Sequence, residues 1–156
     1  MILVTVGTNE ARFDRLLLEI DALPPGEELI VQHGPSHVRP ARATCVDYLP
    51  FDELVALLRR ARVVVTHAGV GSVMTALTNG KRPIVVPRLA RYGEAVDDHQ
   101  LPFAVRLDAA GIVRLVRDPA KLPGALAHDQ DVSTSEIRPD RQLVDELRTF
   151  LQRHSR

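Results

Sequence analysis

Arg62-Val63-Val64-Val65-Thr66-His67-Ala68-Gly69-Val70-Gly71-Ser72-Val73-Met74-Thr75-Ala76-Leu77 is the stretch that decides the fold. Val63 to Val65 is an unbroken β-branched run, the pattern of a strand covered on both faces, as in a parallel sheet. A helix over residues 72–79 follows, closed by Gly80. A buried strand that runs through a glycine-rich turn into a helix is half of a β–α–β unit. The pattern repeats on both sides. Residues 2–6 read as a strand ending at Gly7. Phe13, Leu16, Leu17 and Ile20 recur at helical spacing until Leu23-Pro24-Pro25-Gly26 stops them. Residues 28–32 are a second strand and 43–48 a short extended piece. Phe51, Leu54, Val55, Leu57, Leu58 and Ala61 share a helix face, with Asp52 and Glu53 suited to its N-terminus. Residues 83–87 form a strand bracketed by prolines. Residues 101–107 form a helix that tolerates Pro102 only in its first turn, and 112–115 are a last strand. Residues 122–140 read as loop. A C-terminal helix over 138–152 carries Leu143, Val144, Leu147, Phe150 and Leu151 on one face. The expected fold is α/β: a Rossmann-like parallel sheet with helices on both faces, one domain over residues 1–156, right-handed crossovers, and a ligand beyond the carboxyl ends of the strands.

Composition narrows the function. A 156-residue chain can bury a core without disulfides or structural metal. Formal net charge is zero, so no broad electrostatic footprint invites nucleic acid. The single cysteine, Cys45, reads as a buried small hydrophobe and excludes an internal disulfide. The apolar run after Met1 is too short for a signal sequence, and no run approaches the ~20 residues that cross a bilayer. A reducing, cytoplasmic setting is expected.

Three loops carry the candidate chemistry. In the first, Gly69 and Gly71 let backbone come close to a ligand. N–H groups at a helix start suit a diphosphate, Ser72 can cap the helix or bond a phosphate oxygen, and His67 ends the strand. The turn is neither a Walker A loop nor a full Gly-x-Gly-x-x-Gly, since residue 74 is Met. A plain tight connection remains open for it, as does a structural role for His67. The second loop, Val96-Asp97-Asp98-His99-Gln100, offers polar groups for the hydroxyls of a sugar or ribose, or else a helix cap. Adjacent Asp97, Asp98 and His99 point in different directions and make a poor metal set, so no metal is expected. The third, Gly7, Thr8 and Asn9 after the first strand, reads equally as an ordinary turn. Three such loops at three strand ends weigh more than any one.

On these residues the chain resembles the C-terminal domain of glycosyltransferase family 28, above all its short stand-alone members in two-part transferases. The similar motifs are Thr5-Val6-Gly7-Thr8 with Phe13-Asp14-x-Leu16, Thr66-His67-Ala68-Gly69-x-Gly71-Ser72, Gly80-Lys81-x-Pro83-x-Val85-x-Pro87, and Asp98-His99-Gln100, over roughly residues 1–118. The resemblance implies one half of a GT-B enzyme, whose two Rossmann-like domains clamp a UDP-sugar and an acceptor. It implies that the 69–72 turn holds the diphosphate with His67 beside it. Gln100 and His99 would bond sugar hydroxyls, and Gly7, Thr8 and Asn9 would face the cleft. Members commonly carry Glu at the place of Thr75, where it contacts the ribose; Thr75 can make only a shorter, uncharged bond there, so either Asp98 or another group replaces the contact, or donor affinity and choice have drifted.

The resemblance implies an inverting transfer from a UDP-sugar, without cofactor or metal, to a polyprenyl-diphosphate-linked sugar acceptor. N–H groups of the turn, and Arg88 or Arg91, would stabilise the leaving diphosphate. No general base is evident, because the acceptor half supplies it in full-length members. A membrane-anchored acceptor-binding subunit is therefore the expected partner, drawing the protein to the inner face of the membrane. The C-terminal helix is a candidate docking element for it. Two rivals remain: a non-catalytic accessory subunit, supported by Thr75, and a nucleotide-binding module unrelated to sugars.

Overall fold

The structure is a computed structural model that describes residues 1–128. Among these residues the strands are β1 (Ile2–Thr5), β2 (Leu29–Gln32), β3 (Thr44–Val46), β4 (Val63–His67), β5 (Ile84–Val86) and β6 (Arg114–Leu115), the last shorter than the expected 112–115. All neighbours pair in parallel, in the order β3-β2-β1-β4-β5-β6. The order reverses between β1 and β4, where Thr5 pairs with Thr66. Crossovers leave in opposite directions on either side of this pair, so a crevice opens beyond its carboxyl ends, where Gly7 and His67 lie.

The helices are α1 (Asp14–Leu17), α2 (Phe51–Arg60), α3 (Val70–Thr78), α4 (Gln100–Ala109) and α5 (Leu122–His128). Alternate strand residues divide the core between the two faces. Ile2, Val4, Val31, Val63, Val65 and Val86 pack with Leu16, Leu17 and Ile20 from α1 and its extension, and with Leu122 and Leu126 from α5. On the other face Leu3, Ile30 and Val64 meet Leu58 of α2, while Val85 meets Val73 of α3 and Phe103, Ala104 and Leu107 of α4. Coverage of both faces explains why the strands are continuously apolar rather than alternating. Each fully buried Leu or Phe contributes on the order of 2 kcal/mol.

Four local expectations need correction. The first helix is short; beyond Leu17 the chain continues in tight i→i−3 turns, Glu19 to Leu16 at 3.2 Å and Ile20 to Leu17 at 3.2 Å. These turns still drop Ile20 and Leu23 into the core, so periodicity alone cannot tell them from a helix. Helix α3 starts at Val70, with Gly69 as its N-cap in extended conformation, so Ser72 is not the cap. The stretch read as loop from residue 122 opens with α5, because Leu122, Ala125 and Leu126 have a core face to fill. Cys45 is half-buried on β3, at the rim of the core. Pro102 lies in the first turn of α4, as expected. The C-terminal helix expected over 138–152 falls outside the described residues. Among the described residues no helix is long and apolar enough to cross a membrane.

Candidate functional site

Two polar side chains in otherwise apolar strands shape the loop after β1. Thr5 accepts the N–H of Gly7 at 3.2 Å and donates to the side chain of Gln32, whose amide donates to the Gly7 carbonyl at 3.1 Å. Both backbone polar groups of Gly7 are thus held from β1 and β2, with φ at 76°, where a side chain is strained. Phe13 and Asp14 further along prove structural. Phe13 is fully buried, and Asp14 accepts the backbone N–H groups of His37 and Val38 at 2.8 and 3.2 Å. Thr8 and Asn9 are exposed at the crevice, Asn9 accepting from Ala11 N–H at 2.7 Å in a local turn.

His67 leaves the end of β4 and lies between the two glycine loops. A Cβ on Gly7 would stand 2.2 Å from its Nε2, and a Cβ on Gly69 would stand 2.0 Å from its Cε1. Its Nε2 lies 3.0 Å from Ser72 Oγ, and its Nδ1 lies 3.4 Å from Gln100 Nε2. Burial pulls its pKa down to about 4, the Arg88 charge acting in the same direction, so the ring is neutral at pH 7.

Above this ring, α3 begins. Among the described residues no side chain caps it, so the N–H groups of Val70, Gly71 and Ser72 face the crevice as a helix start does. A Cβ on Gly71 would meet nothing within 4 Å among the described residues, which leave the space over this turn open. The dipole end, the free donors and the Ser72 hydroxyl suit an anion. Thr75, one turn on, donates its hydroxyl proton to the Gly71 carbonyl at 2.8 Å.

Arg88 is placed otherwise than its charge suggests in the sequence. Its guanidinium is fully buried below the loops and donates to the carbonyls of Val6 at 2.7 Å, Ala11 at 2.9 Å, Glu94 at 3.1 Å and Arg12 at 3.2 Å. It also stacks 4.6 Å over the Phe13 ring. Burial pulls its pKa down to about 10, opposed by Glu94, and it stays charged. The β1 and β5 loops are tied a second time by Arg15, which donates to both Glu94 oxygens at 2.8 Å.

Asp97, Asp98 and His99 are exposed, while Gln100 is buried. Asp98 accepts the N–H of Ala90 at 2.7 Å, and Asp97 binds His99 through both ring and backbone. Among the described residues no three His, Cys, Asp or Glu side chains converge as metal ligands would. Lys81 turns away from the crevice and donates to the Ala61 carbonyl at 2.6 Å. The structure therefore gathers Gly7, His67, Gly69, Gly71, Ser72 and Gln100 into one site. It sets Arg88 beneath that site as a brace and leaves Asp98 and His99 exposed, bonded to Ala90 and Asp97. The residues missed at the sequence level are Gln32, Arg15 and Glu94, together with the role of Thr5, itself part of a motif, in holding Gly7. The one available signal was polarity at the ends of two apolar strands.

The model of the glycosyltransferase family 28 C-terminal domain matches residues 1–153. A curated relative, the UDP-N-acetylglucosamine transferase subunit ALG13 of Yarrowia lipolytica, is 41% identical over 56 residues, 36% of this chain and 26% of its own length. Among solved structures, the calicheamicin glycosyltransferase CalG4 superposes with a TM-score of 0.66 at 19% identity, over 99% of this chain and 44% of that one. The glycotransferase of kitacinnamycin gives 0.62 at 24%, over 98% and 39%. Acinetobacter baumannii MurG gives 0.56 at 21%, over 97% and 45%. At these identities the structures speak for the fold, that of one GT-B half. The chain spans less than half of each, and the aligned stretch is about a quarter of the curated relative.

Proposed function

We propose that this chain, which belongs to the glycosyltransferase family 28 C-terminal domain family, is the donor-binding subunit of a sugar transferase, and that the start of α3 receives the diphosphate of a UDP-sugar. One observation carries the reading. At the sheet's reversal point two glycine loops close on a neutral His67, directly beneath an uncapped helix start. That arrangement presents N–H donors and a hydroxyl to an anion. A diphosphate leaving group needs such donors, since negative charge grows on it as the bond to the anomeric carbon breaks.

In this reading the acceptor hydroxyl attacks the anomeric carbon from the side opposite the diphosphate, with inversion, and its proton passes to a base from the acceptor half. A partner subunit, anchored in the membrane, supplies that half and presents a polyprenyl-diphosphate-linked sugar at the cytoplasmic face. The curated relative's designation as a subunit supports a divided enzyme. UDP is the natural nucleotide because that relative is named for a UDP-sugar. Asp98 and His99, exposed just before Gln100, are the groups a donor sugar would meet in this reading.

The second reading is an accessory subunit without catalytic function, favoured by Thr75, whose hydroxyl proton is committed to Gly71 rather than free for a ribose. Co-expression with a candidate membrane-anchored partner separates the two. Loss of transfer in the Ser72→Ala variant, with the complex intact, supports a donor site in this chain. Unchanged transfer in that variant supports the accessory role.

A further inference from the structure

The directions of the hydrogen bonds beneath the site follow from the donors. The backbone N–H of Arg88 can only donate, and it reaches Gln100 Oε1 at 3.1 Å. The carboxamide oxygen therefore faces β5, and the NH2 group faces His67 Nδ1 at 3.4 Å. An amide NH2 also only donates. Nδ1 must then be the acceptor and carry no proton. A neutral imidazole has one proton, which falls on Nε2 and is donated to Ser72 Oγ at 3.0 Å. Ser72 has no other side-chain partner among the described residues, so its own proton is free to point into the crevice. With the opposite tautomer, the Ser72 proton would be drawn down to Nε2, and only lone pairs would face the ligand. Lone pairs repel a phosphate oxygen; a proton attracts it.

We propose that Gln100 is a positioning residue: by holding His67 as the Nε2–H tautomer, it makes Ser72 a hydrogen-bond donor toward an anionic oxygen. Gln100 is buried, its amide oxygen held by the Arg88 N–H and one NH2 proton turned to His67, so it can act on the ligand through His67. The phosphate as target rests on the donor-binding reading above; the tautomer does not.

The test is nitrogen NMR on the full chain labelled with 15N-histidine at pH 7, the His67 signals being identified by their loss in His67→Gln. The expected wild-type pattern is a protonated Nε2 and a bare Nδ1. In Gln100→Glu a carboxylate faces Nδ1 and draws a proton there. UDP binding, measured by calorimetry, should weaken about tenfold in this variant and about tenfold in Ser72→Ala. The double variant should bind no more weakly than Ser72→Ala alone, because both changes remove the same donor. A purely structural role for Gln100 would instead give additive losses. A wild-type Nδ1–H tautomer overturns the proposal without recourse to any variant, as do additive losses. If wild-type protein shows the expected tautomer but binds no UDP, the donor-binding reading fails and the tautomer assignment stands.

Discussion

The imidazole of His67 fills the space that a side chain on Gly69 would need, with Cε1 only 2.0 Å from the place of the missing Cβ. Gly69 has an ordinary φ of −76°, so close approach alone demands glycine here. Gly69→Ala should destabilise the fold by ~1–3 kcal/mol through overpacking, and His67→Ala added to it should recover most of that loss. Urea denaturation of the single and double variants checks this. Gly7→Ala should recover less in the same background, because φ at 76° keeps its strain once the ring is gone.

Gly71 should behave in the opposite way. Among the described residues no atom lies within 4 Å of a Cβ built there, and the residue is in the first turn of a helix. Gly71→Ala should therefore be stabilised by ~0.5–1 kcal/mol. UDP affinity should nonetheless fall, since a methyl group would stand where the diphosphate approaches. Thermal melts and calorimetry on the same samples decide it. Equal affinity in the variant would mean that nothing lies against this glycine.

Much of this was legible in the sequence, and the reason is physical. A strand covered on both faces must be apolar throughout, so Val63 to Val65 and Ile84 to Val86 announced a parallel sheet. Helical spacing found α2, α3 and α4 for the same reason. The start of α3 was misplaced because Ser72 looks like a cap, while the real cap is Gly69, which must be glycine because the His67 ring fills the place of a side chain. Arg88 was read as a phosphate ligand because charge is visible in a sequence and direction is not. Its burial depends on carbonyls from Val6, Ala11, Arg12 and Glu94, which only the folded chain brings together. The clamp of Thr5 and Gln32 on Gly7 likewise needs β1 and β2 to be paired.

Removing the Arg88 guanidinium would leave buried carbonyls without donors. Arg88→Met should cost about 3–5 kcal/mol of stability, the range for breaking a buried charged network. UDP affinity should fall with it as the β1 and β5 loops separate. A loss below ~1 kcal/mol in urea denaturation would contradict the brace.

Stability should depend on pH through His67. Its folded pKa of about 4 lies below the ordinary 6.5, so between these values the unfolded chain binds more protons than the folded one. Stability then rises with pH across that window and falls as acid is added. The gap corresponds to ~3 kcal/mol lost on going from pH 7 to pH 4. His67→Gln should lack that component, so the difference between the two pH profiles isolates it. Parallel profiles would show that His67 titrates normally.

The place where a nucleotide diphosphate binds is the most direct test of a donor site in this chain. A crystal structure of the full chain with UDP should place the β-phosphate over the start of α3. Its oxygens should be ~2.7–3.2 Å from the N–H groups of Val70, Gly71 and Ser72 and from the Ser72 hydroxyl. Phosphate density elsewhere on the molecule, or an empty helix start at saturating UDP, would contradict it.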